Sequence, residues 1–214
     1  MSSVAVVDYG IGNVFSVCNA LRKIGAEPLL TRDPGALLAA DRVILPGVGA
    51  FSSAMSNLRR YALDTVIADF IATGRPFLGV CIGMQLLMER STEFGLHDGL
   101  GLIRGTVDRI PAVADDGHPL RVPHIAWSEV HATDALQGGW QAATFDGARH
   151  YYFVHSYMAR PDDPSHLLAV ARYGGHQITA AVRKENVTGV QFHPERSGPE
   201  GLRLLSNFVN ASGG

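Results

Sequence analysis

The first half of this chain alternates short apolar runs with segments of helical period, and that alternation constrains the fold more than any other feature. Val4–Val7, Glu27–Thr31, Arg42–Leu45 and Pro76–Val80 read as strands. Between them, Val14, Val17, Cys18, Leu21 and Ile24 recur at helical spacing, with Gly25 as a stop. Pro34–Ala40 fits a short helix, Ser52–Thr73 is helical in character, and Ile82–Arg90 follows as another helix. Apolar strands alternating with helices argue for a parallel sheet covered on both faces. The second half changes rhythm. Leu102–Ile110, Arg121–Val130, Tyr151–Met158, Leu167–Tyr173, Gln177–Arg183 and Val187–Phe192 read as strands whose connections are mostly too short for helical crossovers. Antiparallel additions to a parallel first half are therefore expected. Ala112–Pro119 and Asp134–Ala148 read as surface loops, and Gly198–Asn210 as a closing helix. Residues 1–214 show no internal linker or repeat, so one domain is expected.

Composition narrows the function classes. Eighteen Lys and Arg stand against twenty Asp and Glu, a net charge of −2, which argues against a nucleic-acid or anionic-membrane partner held by bulk charge. Two cysteines, Cys18 and Cys81, make neither a disulfide framework nor a zinc motif, and a reducing cytoplasm fits them best. The N-terminus has no basic region and its apolar run stops at Asp8, unlike a signal peptide. No apolar run approaches the roughly 18 residues of a membrane span.

Two segments carry chemistry. Phe77-Leu-Gly-Val-Cys-Ile-Gly-Met-Gln85 sets Gly79-x-Cys81-x-Gly83 between a buried strand and a helix. This has the form of a nucleophile elbow with cysteine in the serine position. The turn is so sharp that its flanking side chains must be very small, hence the two glycines, and it thrusts Cys81 out at the carboxyl end of the sheet. A helix N-terminus there favours a thiolate, and the N–H of Ile82 points at an oxyanion formed on attack. Gly189-Val-Gln-Phe-His-Pro-Glu195 ends a strand in His193 and Glu195, which project to the same side. A cysteine nucleophile needs a base and the base an orienting acceptor, and His193 and Glu195 supply them. Alone, either segment has a bland reading: a cysteine packed at a strand end, or a surface His-Pro-Glu turn. Together they point to covalent catalysis.

The two segments resemble the halves of a triad-type class I glutamine amidotransferase site. Asp8-Tyr-Gly-Ile-Gly-Asn13, Pro46-Gly-Val-Gly-Ala-Phe51, Pro123-His-Ile-Ala-Trp127 and Val154-His-Ser-Tyr157 are similar to the glutaminase subunits of imidazole glycerol phosphate synthases, which serve histidine biosynthesis. The resemblance covers essentially the whole chain. It implies a three-layer, flavodoxin-like α/β fold and hydrolysis of glutamine to glutamate and ammonia through a cysteinyl thioester. In it Cys81 is the nucleophile, His193 the base and acid, and Glu195 the orienting carboxylate. It assigns Gly47, Val48 and Gly49 to an oxyanion strand with a peptide that reorients before it donates. Gln85, Glu93, His155, Ser156 and Tyr157 fall to glutamine binding. Asn13, Trp127 and Arg196 fall to the interface with a (β/α)8-barrel cyclase or synthase subunit, which forms a heterodimer and receives the ammonia. It implies no cofactor and no metal. Ala126 and Ser128 depart from the family's Gly and Asn, and Arg196 stands where lysine is common.

Other features carry less. Gly10-x-Gly12 lacks the third glycine of a dinucleotide loop, since Phe15 holds that position, and reads as a tight turn with Asn13 as a helix cap. The nine histidines show no metal-ligand spacing. His155 on its apolar strand also fits a satisfied core histidine, and Trp127 also fits the core. Three alternatives remain at this level: a glutaminase feeding a different synthase, a stand-alone cysteine amidohydrolase, and a non-catalytic binding module.

Overall fold

The computed structural model describes residues 3–211. Its strands are β1 (Val4–Val7), β2 (Pro28–Thr31), β3 (Arg42–Leu45), β4 (Phe77–Val80), β5 (Met88–Ser91), β6 (His97–Asp98) and β7 (Ile103–Arg109). β8 (His124–Ala132), β9 (Arg149–His155), β10 (Tyr157–Pro161), β11 (Leu167–Tyr173), β12 (His176–Lys184) and β13 (Val187–Val190) follow. The helices are α1 (Val14–Lys23), α2 (Pro34–Ala39), α3 (Phe51–Arg60), α4 (Leu63–Ala72), α5 (Ile82–Gln85), α6 (Gly139–Thr144) and α7 (Gly198–Asn210).

Nine strands form one sheet in the order β2-β1-β3-β4-β13-β12-β11-β8-β9. The first five run parallel, in the 2-1-3-4-5 order of the flavodoxin-like fold, and the remaining four are antiparallel. Every residue of β1, β3, β4 and β13 is buried, so both faces of this part are covered. α1, α6 and α7 pack as one group, and α2, α3 and α4 as another. β10, β7, β5 and β6 form a second sheet in that order, and β10 touches β12 of the first. Cys18 is buried on the core stripe of α1.

Four expected elements differ. Residues 52–73 form two helices, broken at Ala62, whose φ is +53°. The buried stripe of Phe51, Ala54, Met55 and Leu58 slips by a residue to Leu63, Val66, Ile67 and Phe70, and the break lets both stripes face the core. Residues 82–90 are helical only over Ile82–Gln85. Everything from Cys81 to Met88 is buried, so apolar periodicity carries no information there, and pairing with β7 and β6 draws Met88–Ser91 into a strand. The single strand expected over 151–158 breaks at Ser156, which sends β9 to the large sheet and β10 to the small one. The loop expected over 134–148 contains α6, whose Trp140 packs edge-on against Phe208 of α7.

Parallel register gathers the chemistry. β3, β4 and β13 are neighbours, with Leu45 opposite Gly79 and Val80 opposite Val190. The Pro46–Gly49 loop, Cys81 and the Gln191–His193 segment thus leave the carboxyl edge side by side, where ligands bind in open α/β sheets.

Candidate active site

Cys81 sits between β4 and α5 at φ +54°, ψ −108°, a conformation that costs a non-glycine residue on the order of 1–3 kcal/mol. Its neighbours show why the motif needs glycine. A Cβ on Gly79 would lie 2.5 Å from the Gly83 carbonyl oxygen, and one on Gly83 would lie 1.9 Å from that of Leu45. The Cys81 N–H donates to Val190 O at 2.8 Å, which ties the elbow to β13. The N–H groups of Met84 and Gln85 return to the Cys81 carbonyl, and Ile82, which opens the helix, has no carbonyl one turn behind it. Because α5 is only four residues long, the macrodipole expected from a helix running to Arg90 is largely absent.

His193 leads into a 3-10 turn, Pro194–Arg196. Its backbone N–H donates to Tyr152 O at 2.9 Å, and its carbonyl accepts from Ser197 Oγ at 2.7 Å, so β9 and α7 clamp it. The imidazole Nδ1 lies 2.8 Å from Glu195 Oε1, with both side chains almost fully buried. A carboxylate only accepts, so Nδ1 carries a hydrogen, and Nε2 is the nitrogen left to exchange a proton with Cys81. Nε2 is buried without a hydrogen-bond partner, on the same cavity as Cys81. Burial is the largest single influence on this imidazole and works against its charge. The adjoining Cys81 and Glu195 outweigh it together and raise its pKa above the usual histidine value. Asn13 Nδ2 reaches the same Glu195 oxygen at 3.5 Å, and Asn13 makes no side-chain cap on α1, contrary to the expected helix cap.

The cavity has a volume of about 260 Å³, on the scale of an amino acid beside the roughly 300–1,000 Å³ of drug-sized sites. Val48, Gly49, Ile82, Gln85, Glu93, His155, Ser156 and Tyr157 line it along with Cys81 and His193. Gly47 does not. It packs beneath the loop, where a Cβ would meet Tyr9 Oη at 2.7 Å and Ile82 Cβ at 2.8 Å. Tyr9 donates to Pro46 O at 2.8 Å and pins the start of the loop, while Gly49 stands at φ +97°. Glu93 Oε2 accepts from the Phe51 N–H at 2.6 Å and so caps α3 from a distance.

Two expected substrate contacts are internally engaged. Gln85 Nε2 donates to Tyr157 O at 2.9 Å and to Gln191 Oε1 at 3.0 Å, so both amide hydrogens are used. His155 Nδ1 lies 2.8 Å from Tyr157 O and its Nε2 lies 3.0 Å from Nδ1 of the fully buried His124. Burial pushes the His124 and His155 pKa values down to about 4 and about 3, which keeps both rings neutral. Ser128 Oγ stands 2.9 Å from His124 Nε2 and closes the row.

Trp127 is 54% exposed beside Tyr152, its partner across β8 and β9, so it is not core. The Arg196 guanidinium lies over the same Tyr152 ring at 4.8 Å. Asn13 is half-buried next to this surface through Glu195. A larger cavity, about 690 Å³ between Trp140, Arg183 and Asn207, holds none of these side chains. Among the described residues no group of three His, Cys, Asp or Glu could hold a metal ion, and no helix is long and apolar enough to cross a membrane.

The sequence reading missed Gln191, His124 and Tyr9. Gln191 was within reach of the rule that paired His193 with Glu195, since it stands two residues before His193. His124 and Tyr9 carried no signal beyond their motifs.

Comparison with known proteins follows the same lines. The family model for class-I glutamine amidotransferases matches residues 5–211. The chain is 42% identical over 212 residues to imidazole glycerol phosphate synthase subunit HisH 1 of Legionella pneumophila, covering 98% of this chain and 99% of that one. It is 45% identical over 209 residues to subunit HisH of Nostoc punctiforme, covering 98% and 96%. Among solved structures, a glutamine amidotransferase crystal structure superposes with a TM-score of 0.72 at 21% identity over 97% of both chains. PurLQS from Thermotoga maritima does so with 0.69 at 19% identity over 98% and 99%. At those identities the structural likenesses speak for the fold.

Proposed function

The chain belongs to the class-I glutamine amidotransferase family, and from that premise we propose that it is the glutaminase subunit of an imidazole glycerol phosphate synthase. It hydrolyses glutamine to glutamate and ammonia and supplies the ammonia to a synthase partner in histidine biosynthesis. The reading is carried by one observation: a strained, glycine-flanked cysteine shares a small cavity with an imidazole whose Nε2 is unpaired and whose Nδ1 is held by a buried carboxylate.

The chemistry follows from that arrangement. His193 Nε2 takes the Cys81 thiol proton, and the resulting imidazolium is stabilised by Glu195. The sulfur attacks the glutamine side-chain carbonyl, and the electron pair of the C=O bond moves to oxygen. The N–H of Ile82 and an N–H of the Gly47-Val48-Gly49 loop receive that oxyanion. The imidazolium returns its proton to the departing nitrogen, the C–N bond breaks, and ammonia leaves a glutamyl thioester. Water, deprotonated by the same imidazole, then cleaves the C–S bond. Glu93, with Ser156 and Tyr157, holds the amino-acid end of the substrate. Gln85 and His155 shape the pocket through the bonds they already make.

The partner is a (β/α)8-barrel subunit, in a cytoplasmic heterodimer. It covers the surface around Asn13, Trp127 and Arg196, where exposed Ile125 and Trp127 stand on one side of β8. The test is Cys81→Ala. Glutamate release by the complex should vanish, while synthesis from added ammonia should continue. Glutamate release at the wild-type rate would overturn the assignment.

A further inference from the structure

We infer that the Gln191 carboxamide is a further catalytic group, which donates an N–H to the Cys81 sulfur and supports it as the thiolate. The inference rests on the reading of Cys81 as nucleophile. Gln191 is fully buried at the end of β13, and the register of β4 and β13 brings it level with Cys81. Its Nε2 lies 3.7 Å from Sγ, within reach of a hydrogen bond to sulfur.

An amide can turn over and present oxygen instead, so its orientation must be argued. One backbone carbonyl decides it. Tyr157 O can only accept, so the group on Gln85 that lies 2.9 Å from it is the NH2. That NH2 has a second hydrogen, directed at Gln191 3.0 Å away, so the Gln191 atom there is its oxygen. The Gln191 NH2 is then the end that faces sulfur. The same carbonyl orders a second row. It takes the His155 Nδ1 hydrogen, which leaves Nε2 to accept from His124 Nδ1, and His124 Nε2 to accept from Ser128. Two rows meeting at Tyr157 O hold that carbonyl from both sides, and with it the donor aimed at Cys81.

An N–H on a thiolate acts at two stages. Before attack it favours the charged sulfur once the proton has moved to His193 Nε2. When the thioester is hydrolysed the C–S bond breaks, its electron pair returns to sulfur, and the donor is again in place. A hydrogen bond to a charged group corresponds to about one to two pH units of bias, and the long contact to a soft acceptor belongs at the lower end.

The experiment is alkylation of Cys81 by iodoacetamide as a function of pH in the full-length chain, followed by mass spectrometry, with buried Cys18 as internal reference. In Gln191→Met the midpoint of the rate profile should move about one pH unit to the alkaline side. The plateau should rise roughly threefold, because a less stabilised thiolate is the better nucleophile. Gln191→Glu should move it further, since a carboxylate oxygen then faces the sulfur. A packing defect alone would change access to the sulfur at every pH and leave the midpoint where it was. If Gln191→Met does not fold, Gln85→Met frees the Gln191 amide to turn and should shift the midpoint in the same direction. Profiles unchanged from wild type in the folded variants would overturn the inference. Failure of the underlying reading looks different: wild-type glutaminase activity would survive complete alkylation of Cys81.

Discussion

Gly83→Ala isolates the contact between the elbow and the loop beside it. The new Cβ would sit 1.9 Å from Leu45 O and 2.9 Å from Leu45 C, where real Cβ atoms essentially never come within 3.0 Å. The opposing atoms are backbone of β3, which cannot rotate away, so α5 and the end of β3 must separate by roughly 1 Å. Leu45 is followed at once by Pro46–Gly49, so the displacement falls on the loop that faces Cys81 across the cavity. Overpacking of this kind costs about 1–3 kcal/mol of stability, which for a chain of this size is about 2–12 °C in Tm. A misplacement of about 1 Å in catalytic geometry costs on the order of 100-fold in rate. Glutamate production by the partner-bound enzyme, measured beside thermal melts, gives both quantities. Gly74→Ala is the matched control. Its φ of +76° strains an alanine, and no heavy atom lies within 4 Å of the new Cβ. It should lose about 1–2 kcal/mol of stability while keeping its activity at temperatures where it is folded. A Gly83→Ala enzyme with wild-type turnover would refute the argument that the elbow and loop must hold this spacing.

Three further outcomes are expected. Glu195→Gln should reduce turnover less than His193→Ala, because the carboxylate orients the imidazole that moves the proton; an equal or greater loss in a folded Glu195→Gln protein would contradict these roles. Stability should fall steeply in acid. Unfolded imidazoles take protons near pH 6.5, whereas His124 and His155 in the fold do so only near pH 4 and 3, so protons favour the unfolded chain at up to roughly 2–3 kcal/mol per pH unit for the two. His193, raised in the fold, adds stability that is fully present below pH 6.5 and is lost only as pH rises above it, so it does not alter the fall in acid. Urea midpoints at pH 6.5 and 4.5 should therefore fall less in His124→Asn than in wild type, and equal falls would contradict this. The isolated chain should be a poor glutaminase, stimulated by its partner on the order of 100- to 1,000-fold if a Gly47–Val48 peptide reorientation supplies the missing oxyanion donor. A lone chain as fast as the complex would exclude that switch.

The parallel half of the sheet was legible because its strands are short, mainly apolar runs punctuated by glycine and proline, and the elbow because only glycine fits at 79 and 83. The break at Ser156 was not, since Tyr151–Met158 reads as one apolar run and only the choice of neighbouring strand divides it. The strand at Met88–Ser91 was hidden for the same reason: a segment buried on every side has no face to reveal its period. Cys81, His193 and Glu195 could be named from motifs, but which atoms of Gln85, Gln191, His124 and His155 face one another depends on partners far away in sequence.

The row of neutral imidazoles also bears on the form in which the product departs. His155 forms part of the cavity wall, yet one ring nitrogen has given its hydrogen to Tyr157 O and the other is occupied by His124. Neither ring keeps a lone pair for a stray proton or, at neutral pH, an acidic hydrogen to give away. His193 is then the one imidazole of this cavity able to exchange protons, and in the proposed mechanism it gives its own to the departing nitrogen and regains one from water. On the proposed function, ammonia released in this cavity would meet no proton donor at His155 and would keep the lone pair that a carbon acceptor in a synthase partner requires. A charged imidazole in that wall would turn the same molecule into ammonium, soluble but chemically inert.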